Sequence, residues 1–171
     1  MKRTKFLALP LIVLAMSMLH GCGLVVSTYV VEANWDPNMG NVTGTGTFNS
    51  GATVALTATP HIGFKFVDWR EGDNVVGTSP VFVFWANGNR TLTATFAHIQ
   101  YHVAVSYDDT MGTVTGTGFH NSGDMVTLTA TPLVGFAFVN WTEGEDIVST
   151  DKTFTFVASN HRTLTAVFVS L

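Results

Sequence analysis

The side chains that most often do chemistry in proteins are few in this sequence, and none falls into a recognised catalytic spacing. No serine lies in a Gly-x-Ser-x-Gly turn and no His-Glu-x-x-His segment occurs, which removes the common signatures of a serine nucleophile and of a zinc site. Ser50 and Ser122 lie in Asn-Ser-Gly segments that are typical of tight turns. Almost every Asp and Glu also falls in a turn segment, so we expect no catalytic carboxylate pair and no enzymatic activity.

Two groups of residues have atoms that bind metal ions but lack the necessary spacing. His98 and His102 are four residues apart, which places them on one face of a strand, yet no third ligand is evident. The acidic segments at 71–73 and 143–146 offer carboxylates to calcium but lack the ladder of ligands of an EF-hand. We therefore expect surface histidines and solvated turns, with no bound metal and no cofactor.

Cys22 is the only cysteine, so no disulfide can form within the chain. A basic segment at 2–5 and an apolar segment at 6–19 precede it, which is the order found in an export signal. The apolar segment contains Pro10 and is shorter than the roughly 20 residues that cross a bilayer. This pattern favours a signal peptide over a transmembrane helix.

The segment Leu19-His20-Gly21-Cys22 resembles the lipobox of bacterial lipoproteins, although His20 departs from the small residue usual at that position. The resemblance implies that residues 1–21 are removed and that Cys22 is acylated by fatty acids such as palmitate. It implies a lipid-anchored location in the bacterial cell envelope, at the outer membrane or cell surface. An ordinary cleaved signal peptide and an uncleaved apolar anchor are the alternatives.

The charge of the exported part limits its partners. Removal of residues 1–21 takes away three of the eight basic residues and none of the twelve acidic ones, which leaves a net charge of −7. A chain this acidic has no electrostatic attraction for phosphate backbones or for anionic lipid. Nucleic acid is therefore a poor partner, and attachment to the lipid bilayer has to come from the acyl chains on Cys22.

Shifting the sequence by 72 residues aligns it with itself without a gap. Trp69 then falls on Trp141 and Arg90 on Arg162, and about half of the aligned positions are identical. The matched blocks include Val-Thr-Gly-Thr-Gly at 42–46 and 114–118, and Leu-Thr-Ala-Thr-Pro at 56–60 and 128–132. Such a period indicates two copies of one folding unit.

Within each copy the hydrophobic pattern has a period of two, as in Val54, Leu56 and Ala58, and turn-forming segments separate the alternating runs. The pattern predicts an all-β chain of two tandem small domains. Each is expected to be a mostly antiparallel sandwich or β-grasp-like unit of about six short strands without a helix. Parallel pairing is mostly excluded, because almost all the connections are too short for crossovers.

The tryptophans break this alternation. Trp69 follows Phe66-Val67 on the opposite parity, and Trp141 follows Phe138-Val139 in the same way. Either a β-bulge or a strand buried on both faces is needed to accommodate them. We expect each tryptophan to anchor the core of its own copy.

Five segments of the second copy, at 112–118, 123–132, 135–141, 154–156 and 164–168, resemble the divergent internalin B-type repeat of bacterial surface proteins. With the matching segments of the first copy, the resemblance covers nearly all of residues 28–171. It implies compact β domains related to β-grasp folds, used in tandem as stalks or interaction modules, and it implies no catalytic residues.

These observations divide the chain into a signal peptide at 1–21, a short tether at 22–27, a first repeat at 28–98 and a second repeat at 99–171. A connection of a few residues between the repeats predicts that they are stiffly coupled. The tether spans at most about 20 Å when extended, so the pair is expected close to the membrane.

One strand differs between the copies in a way that suggests a binding surface. Val81-Phe82-Val83-Phe84-Trp85 aligns with Thr-Phe-Thr-Phe-Val at 153–157. The shared phenylalanines should point inward, which puts Val81, Val83 and Trp85 on the outer face. We expect this apolar face to be covered by the second repeat, by Leu24-Val25-Val26, by a protein partner or by a second copy of the chain. A carbohydrate stacked on an exposed aromatic ring is the alternative ligand.

Overall fold

The computed structural model describes residues 26–171, so Cys22, Leu24 and Val25 lie outside the described residues. The described part is built of β-strands, and none of it forms a helix that could span a bilayer. The first repeat contains β1 (Thr28–Asn34), β2 (Gly40–Thr43), β3 (Gly46–Asn49), β4 (Thr53–Pro60), β5 (Phe64–Glu71), β6 (Asn74–Gly77), β7 (Val81–Trp85) and β8 (Arg90–His98). The second contains β9 (Gln100–Ser106), β10 (Gly112–Thr115), β11 (Gly118–Asn121), β12 (Met125–Pro132), β13 (Phe136–Glu143), β14 (Asp146–Ser149), β15 (Thr153–Val157) and β16 (Arg162–Ser170).

Each repeat is a sandwich of a five-stranded and a three-stranded sheet. The strand orders are β3-β1-β8-β5-β6 and β2-β4-β7 in the first repeat, and β11-β9-β16-β13-β14 and β10-β12-β15 in the second. The all-β fold in two tandem domains is therefore confirmed. Each repeat has eight strands where about six were expected, and three of the eight, β2, β3 and β6, have only four residues each.

The sheets are mostly antiparallel, as expected, but each repeat also contains one parallel pair that the short connections did not predict. Strand β1 pairs in parallel with β8, with Val31 opposite Arg90, and β9 pairs in the same way with β16. These are the first and last strands of a repeat. The crossover between them is the rest of the repeat, which is far longer than the minimum that a parallel connection needs.

The core of each repeat lies between its two sheets. In the first repeat it consists of Val31, Val42, Val54, Leu56, Ala58, Trp69, Ala86, Leu92, Ala94 and Phe96, and the second repeat has a core of the same kind. Trp69 and Trp141 are fully buried, each in the core of its own repeat. A bulge between Phe66 and Asp68 shifts the parity of β5 by one residue and turns Trp69 inward.

One turn in each repeat can be made only by glycine. Gly44 has a φ of +95° and Gly116 a φ of +93°, a left-handed conformation that residues with a Cβ rarely adopt. A Cβ at Gly44 would also overlap the carbonyl oxygen of Ala55. The Thr-Gly-Thr-Gly segments are therefore turns that lie against the backbone of β4 and β12.

The two repeats meet end to end through Ile99. Its amide donates to the carbonyl oxygen of Gly63 at 2.8 Å, and its carbonyl accepts from the amide of Ser122 at 2.8 Å. In the first repeat, β4 runs toward this junction from Thr53 to Pro60, and its antiparallel neighbour β7 runs away from it. Strand β7 therefore finishes at the opposite end of the first repeat, the end at which β1 starts, which we call the N-terminal end.

Candidate interaction surface

The histidines and carboxylates that could have bound a metal have other neighbours. His98 packs against Phe64 with ring centroids 4.6 Å apart, and His102 packs against Phe119 at 4.8 Å. Among residues 26–171, no three His, Cys, Asp or Glu side chains come together in a way that could hold a metal ion. Glu71 and Glu143, from the two acidic turns, are held by Arg90 and Arg162.

The outer residues of β7 form a continuous apolar strip, which we call the β7 strip: Val81, Val83 and Trp85. Their exposed fractions are 49%, 57% and 72%, so exposure rises toward the N-terminal end. Phe82 and Phe84 alternate with them and pack against the core. The structure thus turns the phenylalanines inward and the strip outward, as period two dictates.

The strip borders a row of small and hydroxyl-bearing side chains on β4. In the antiparallel register Thr53 lies opposite Trp85, Ala55 opposite Val83 and Thr57 opposite Val81. Residues directly opposite each other share one face of the sheet. The outer face of this sheet is therefore apolar along β7 and changes to mainly threonine along β4.

Strand β7 is also an edge of its sheet. The carbonyl of Pro80 accepts from the Ala58 amide at 2.9 Å, and the Ala86 amide donates to the carbonyl of Ala52 at 2.8 Å. Hydrogen-bonded pairs alternate along an antiparallel ladder, so the backbone groups of the three strip residues point away from β4. The strip thus combines exposed apolar side chains with backbone donors and acceptors directed outward from the edge.

The inner face of β7 is fixed by Arg90, whose only sequence signal is its match with Arg162 and whose contacts were not predicted. Its guanidinium lies 4.4 Å from the ring centroid of Phe84 and 5.7 Å from that of Phe82. The same group donates to the Glu71 carboxylate at 3.1 and 2.8 Å. Cation–π and ion-pair contacts made by one side chain hold the phenylalanine face inward and thereby hold the strip outward.

The sequence contains one indication that Arg90, its two phenylalanines and Glu71 belong together. Glu71, Phe82, Phe84 and Arg90 all recur 72 residues later, and Arg162 makes the corresponding contacts with Glu143, Phe154 and Phe156. The recurrence shows that both copies share these four residues. It does not show that they touch, because 19 residues separate the ion-pair partners in each copy.

The electrostatics of the carboxylates follow from these ion pairs. The hydrogen bonds from Arg90 lower the pKa of Glu71, and those from Arg162 lower the pKa of Glu143, in each case against the smaller opposing effect of burial. Both shifts favour the ionised carboxylate, so neither Glu71 nor Glu143 is a protonated acid at neutral pH. These groups are structural ion pairs, and their chemistry differs from that of a catalytic acid, whose pKa is raised.

The equivalent strand of the second repeat is more polar. Thr153 and Thr155 replace the two valines and Val157 replaces the tryptophan, in the same register against β12. The hydroxyl oxygens of Thr127 and Thr155 lie 3.5 Å apart, where the first repeat has Ala55 opposite Val83. The apolar strip is therefore a property of the first repeat alone.

The expectation that the second repeat covers the strip was wrong. The repeats meet at Ile99, near the start of β7, and all three strip residues stay exposed among residues 26–171. The second repeat therefore leaves the outer face of β7 open to solvent. Of the other expected cover, Leu24-Val25-Val26, only Val26 is among the described residues, and it is itself 56% exposed.

Comparison with known proteins identifies the repeat. The family model described as "Divergent InlB B-repeat domain" matches the chain twice, at residues 29–100 and 101–170. No match was found among curated proteins or solved structures. The two matches follow the two sandwiches of the structure and account for most of the chain. The chain therefore belongs to the divergent InlB B-repeat family, with two repeats in tandem.

Proposed function

We propose that this chain is an exported bacterial lipoprotein whose two repeats act as a non-catalytic structural or protein-interaction module at the cell envelope. The family supports a surface or interaction module and is not a known enzyme class. The proposed anchor is Cys22, supported by the basic segment, the apolar segment and the Leu19 to Cys22 box that precede the repeats. Acylation would place the first repeat next to the bilayer.

The observation that carries the interaction function is the β7 strip. Exposed apolar side chains on a free edge strand are a hazard unless something binds them, because such an edge can pair with another strand. The second repeat shows that the fold does not require them, since Thr153 and Thr155 fill the same outer positions. The strip therefore fits a partner that adds a strand beside β7 and packs side chains on Val81 and Val83.

Carbohydrate binding is a second candidate, supported by a different observation. Trp85 is 72% exposed and lies opposite Thr53, so an aromatic face is next to a hydroxyl group. Aromatic rings with polar neighbours are suited to stacking on sugar rings. A row of such rings would strengthen this candidate, but the other two outer residues of β7 are valines.

The anchoring is tested by the intact mass of the protein purified from the membrane fraction. We expect a chain that begins at Cys22 and carries the added mass of acyl chains, and we expect Cys22→Ser to release it from the membrane. A mature chain that begins elsewhere, or at Cys22 without lipid, would contradict the proposal.

The binding surface is tested by a photo-crosslinking residue placed at Val83 in the envelope, with the same residue at Thr155 as the matched control. We expect protein adducts from position 83 and none from position 155. Adducts from both positions, or from neither, would remove the strip as the protein-binding surface. A glycan panel with wild type and Trp85→Thr decides the carbohydrate alternative, because only sugar stacking predicts binding that this substitution abolishes.

A further inference from the structure

We infer that Trp85 contacts the headgroup region of the bilayer in which the chain is anchored, and so fixes the orientation of the first repeat on the membrane. The inference rests on the proposed acylation of Cys22. It goes beyond the interaction function, because it assigns Trp85, the residue of the β7 strip nearest the anchor, to a lipid surface. Val81 and Val83 remain available to a protein partner.

The path of the chain places Trp85 beside the point at which the anchor leaves the repeat. The carbonyl of Ser27 accepts from the Ser50 amide at 2.7 Å, and the next amide, that of Gly51, donates to the carbonyl of Ala86 at 2.7 Å. Two adjacent residues of the β3–β4 turn therefore join the start of β1 to the end of β7. Trp85 precedes Ala86 and lies at this same end of the sandwich.

The length of chain between the anchor and the repeat limits how far this end can be from the membrane. Four peptide steps separate Cys22 from Val26, the first described residue, and they span at most about 14 Å. An indole ring exposed at the end of a domain held this closely is within reach of the headgroups. Tryptophan is enriched at this depth of membranes because its ring is apolar and its N–H is polar.

The composition of the N-terminal end fits contact with headgroups. The segments that meet there, residues 26–30, 46–53 and 85–89, contain no charged side chain, although the exported part as a whole is strongly acidic. Val26 adds a second exposed apolar side chain, with an exposed fraction of 56%. The adjoining β5–β6 turn contributes Asp73 and Glu71, of which Glu71 is paired with Arg90. An acidic end would be repelled by anionic lipid, and these three segments avoid that repulsion.

The N-terminal end of the first repeat can be compared with the corresponding end of the second repeat, which faces no membrane. Its corresponding end faces the first repeat through Ile99 and Ser122, so it has no access to a bilayer held at Cys22. There the tryptophan position is Val157, and Asp124 stands where the first repeat has Ala52. The tryptophan and the uncharged turn thus occur together in the copy next to the anchor and are both missing from the copy away from it.

Antiparallel pairing of two chains through their β7 strands fits the same geometry less well. An antiparallel pair of β7 strands has a two-fold axis perpendicular to the strands, which would set the N-terminal end of one chain beside the junction end of the other. Both N-terminal ends are held at one bilayer by short tethers. If the strands are perpendicular to the membrane, antiparallel pairing would move one of the two N-terminal ends away from the bilayer, which the short tethers do not allow.

The test uses the full acylated protein in vesicles of phosphatidylethanolamine and phosphatidylglycerol whose acyl chains are brominated near the ester groups, so that they quench nearby indoles. Trp69 and Trp141 are fully buried, and Trp35 follows β1 at the junction end of the repeat. We therefore expect lipid quenching of one tryptophan in the wild type and its loss in Trp85→Thr. The matched control, Trp85→Thr combined with Val157→Trp, keeps four tryptophans and should also be unquenched.

The outcomes separate this inference from the proposed anchoring. Protein that carries no acyl mass and does not float with the vesicles would overturn both. Protein that is acylated and floats, but shows no quenching that depends on Trp85, would overturn this inference alone. The same holds if Trp85 is shielded from aqueous acrylamide without being quenched by lipid, because that result would mean that residues 23–25 or a second chain cover it.

Discussion

The two repeats have the same core and the same strand order, and they differ mainly on their outer faces. Trp69 and Trp141, with their Phe, Leu and Val neighbours, occupy matching positions between the sheets. On the outside, the first repeat has an apolar β7 strip and an ion pair between Asp68 and Arg70, while the second has threonines on β15 and Asn140 with Thr142 on β13. The shared residues lie mainly in the core and stabilise the fold. The residues that differ lie mainly on the outer faces, where the two copies can have different partners.

The largest expected effect is in the part that the copies share. Trp69→Ala and Trp141→Ala should each lower the free energy of unfolding by about 3 to 5 kcal/mol, because each removes a fully buried ring and leaves a cavity. Each indole also donates a hydrogen bond, Trp69 to Pro80 at 3.4 Å and Trp141 to Asp151 at 2.9 Å. Denaturant midpoints of the two variants, measured against wild type, test the equivalence. A midpoint unchanged in either variant would contradict a shared core.

The second prediction concerns the ion pair that only the first repeat has. Asp68 is a buried residue on the outer face of β5, and Arg70 donates to its carboxylate at 3.1 and 2.9 Å. Arg70→Ala leaves this carboxylate without its main partner and should cost about 1 to 3 kcal/mol. The matched control is Thr142→Ala, which removes no charged partner and should cost less. Equal losses in the two variants would show that the ion pair adds nothing to the first repeat.

The copies should also respond differently to acid. The hydrogen bonds from Arg70 lower the pKa of Asp68, so the folded state binds a proton less readily than the unfolded chain does. The resulting stabilisation is complete above the unfolded pKa of about 3.9 and is lost as the pH falls through that value and below it. Asn140 in the second repeat does not titrate, while Glu71 and Glu143 are common to both repeats. The second repeat has one further carboxyl group with a lowered pKa, Asp108, but its hydrogen bonds from Thr110 lie on the surface, whereas Asp68 is buried. Amide exchange measured by mass spectrometry from pH 7 to pH 3, with rates corrected for the intrinsic effect of pH, should show the first repeat losing protection first.

Asp68→Asn is the control for this pH dependence. With the titrating group removed, the first repeat should no longer lose protection before the second. A first repeat that is still the more sensitive to acid in this variant would assign the difference to another carboxylate.

The sequence predicts the architecture of the repeats better than it predicts the contacts between distant residues. The 72-residue period, the two core tryptophans and the outward side of β7 could all be predicted, because they depend on spacing along the chain. The parallel pairing of β1 with β8 could not, because it joins residues about 60 positions apart and has no local pattern. The stacking of Arg90 on Phe84 was missed for the same reason.

The surroundings of Asn140 could not be predicted from the sequence for a different reason. Its side-chain oxygen is buried without a hydrogen-bond partner, although the matching Asp68 is held by Arg70. The sequence displays both substitutions, Asp to Asn at 140 and Arg to Thr at 142. Only the bulge in β13, which places Asn140 opposite Val167, shows that together they leave a polar atom unsatisfied.

The smallest expected change in stability comes from the residues that matter most for the proposed interactions. Replacing Val81 and Val83 with Thr and Trp85 with Val gives the first repeat the outer residues of the second, which folds with them in the same register. The replacements are β-branched, so the strand keeps its preference for extended structure, and Trp85 loses little burial because 72% of it is already exposed. The free energy of unfolding should change by no more than about 0.5 kcal/mol per residue, as for other surface substitutions. Phe82→Ala, one residue away on the inner face, should cost about 3 kcal/mol and serves as the control. A loss of that size in the triple variant would mean that the strip stabilises its own repeat, and the difference between the copies would then be one of packing rather than of binding.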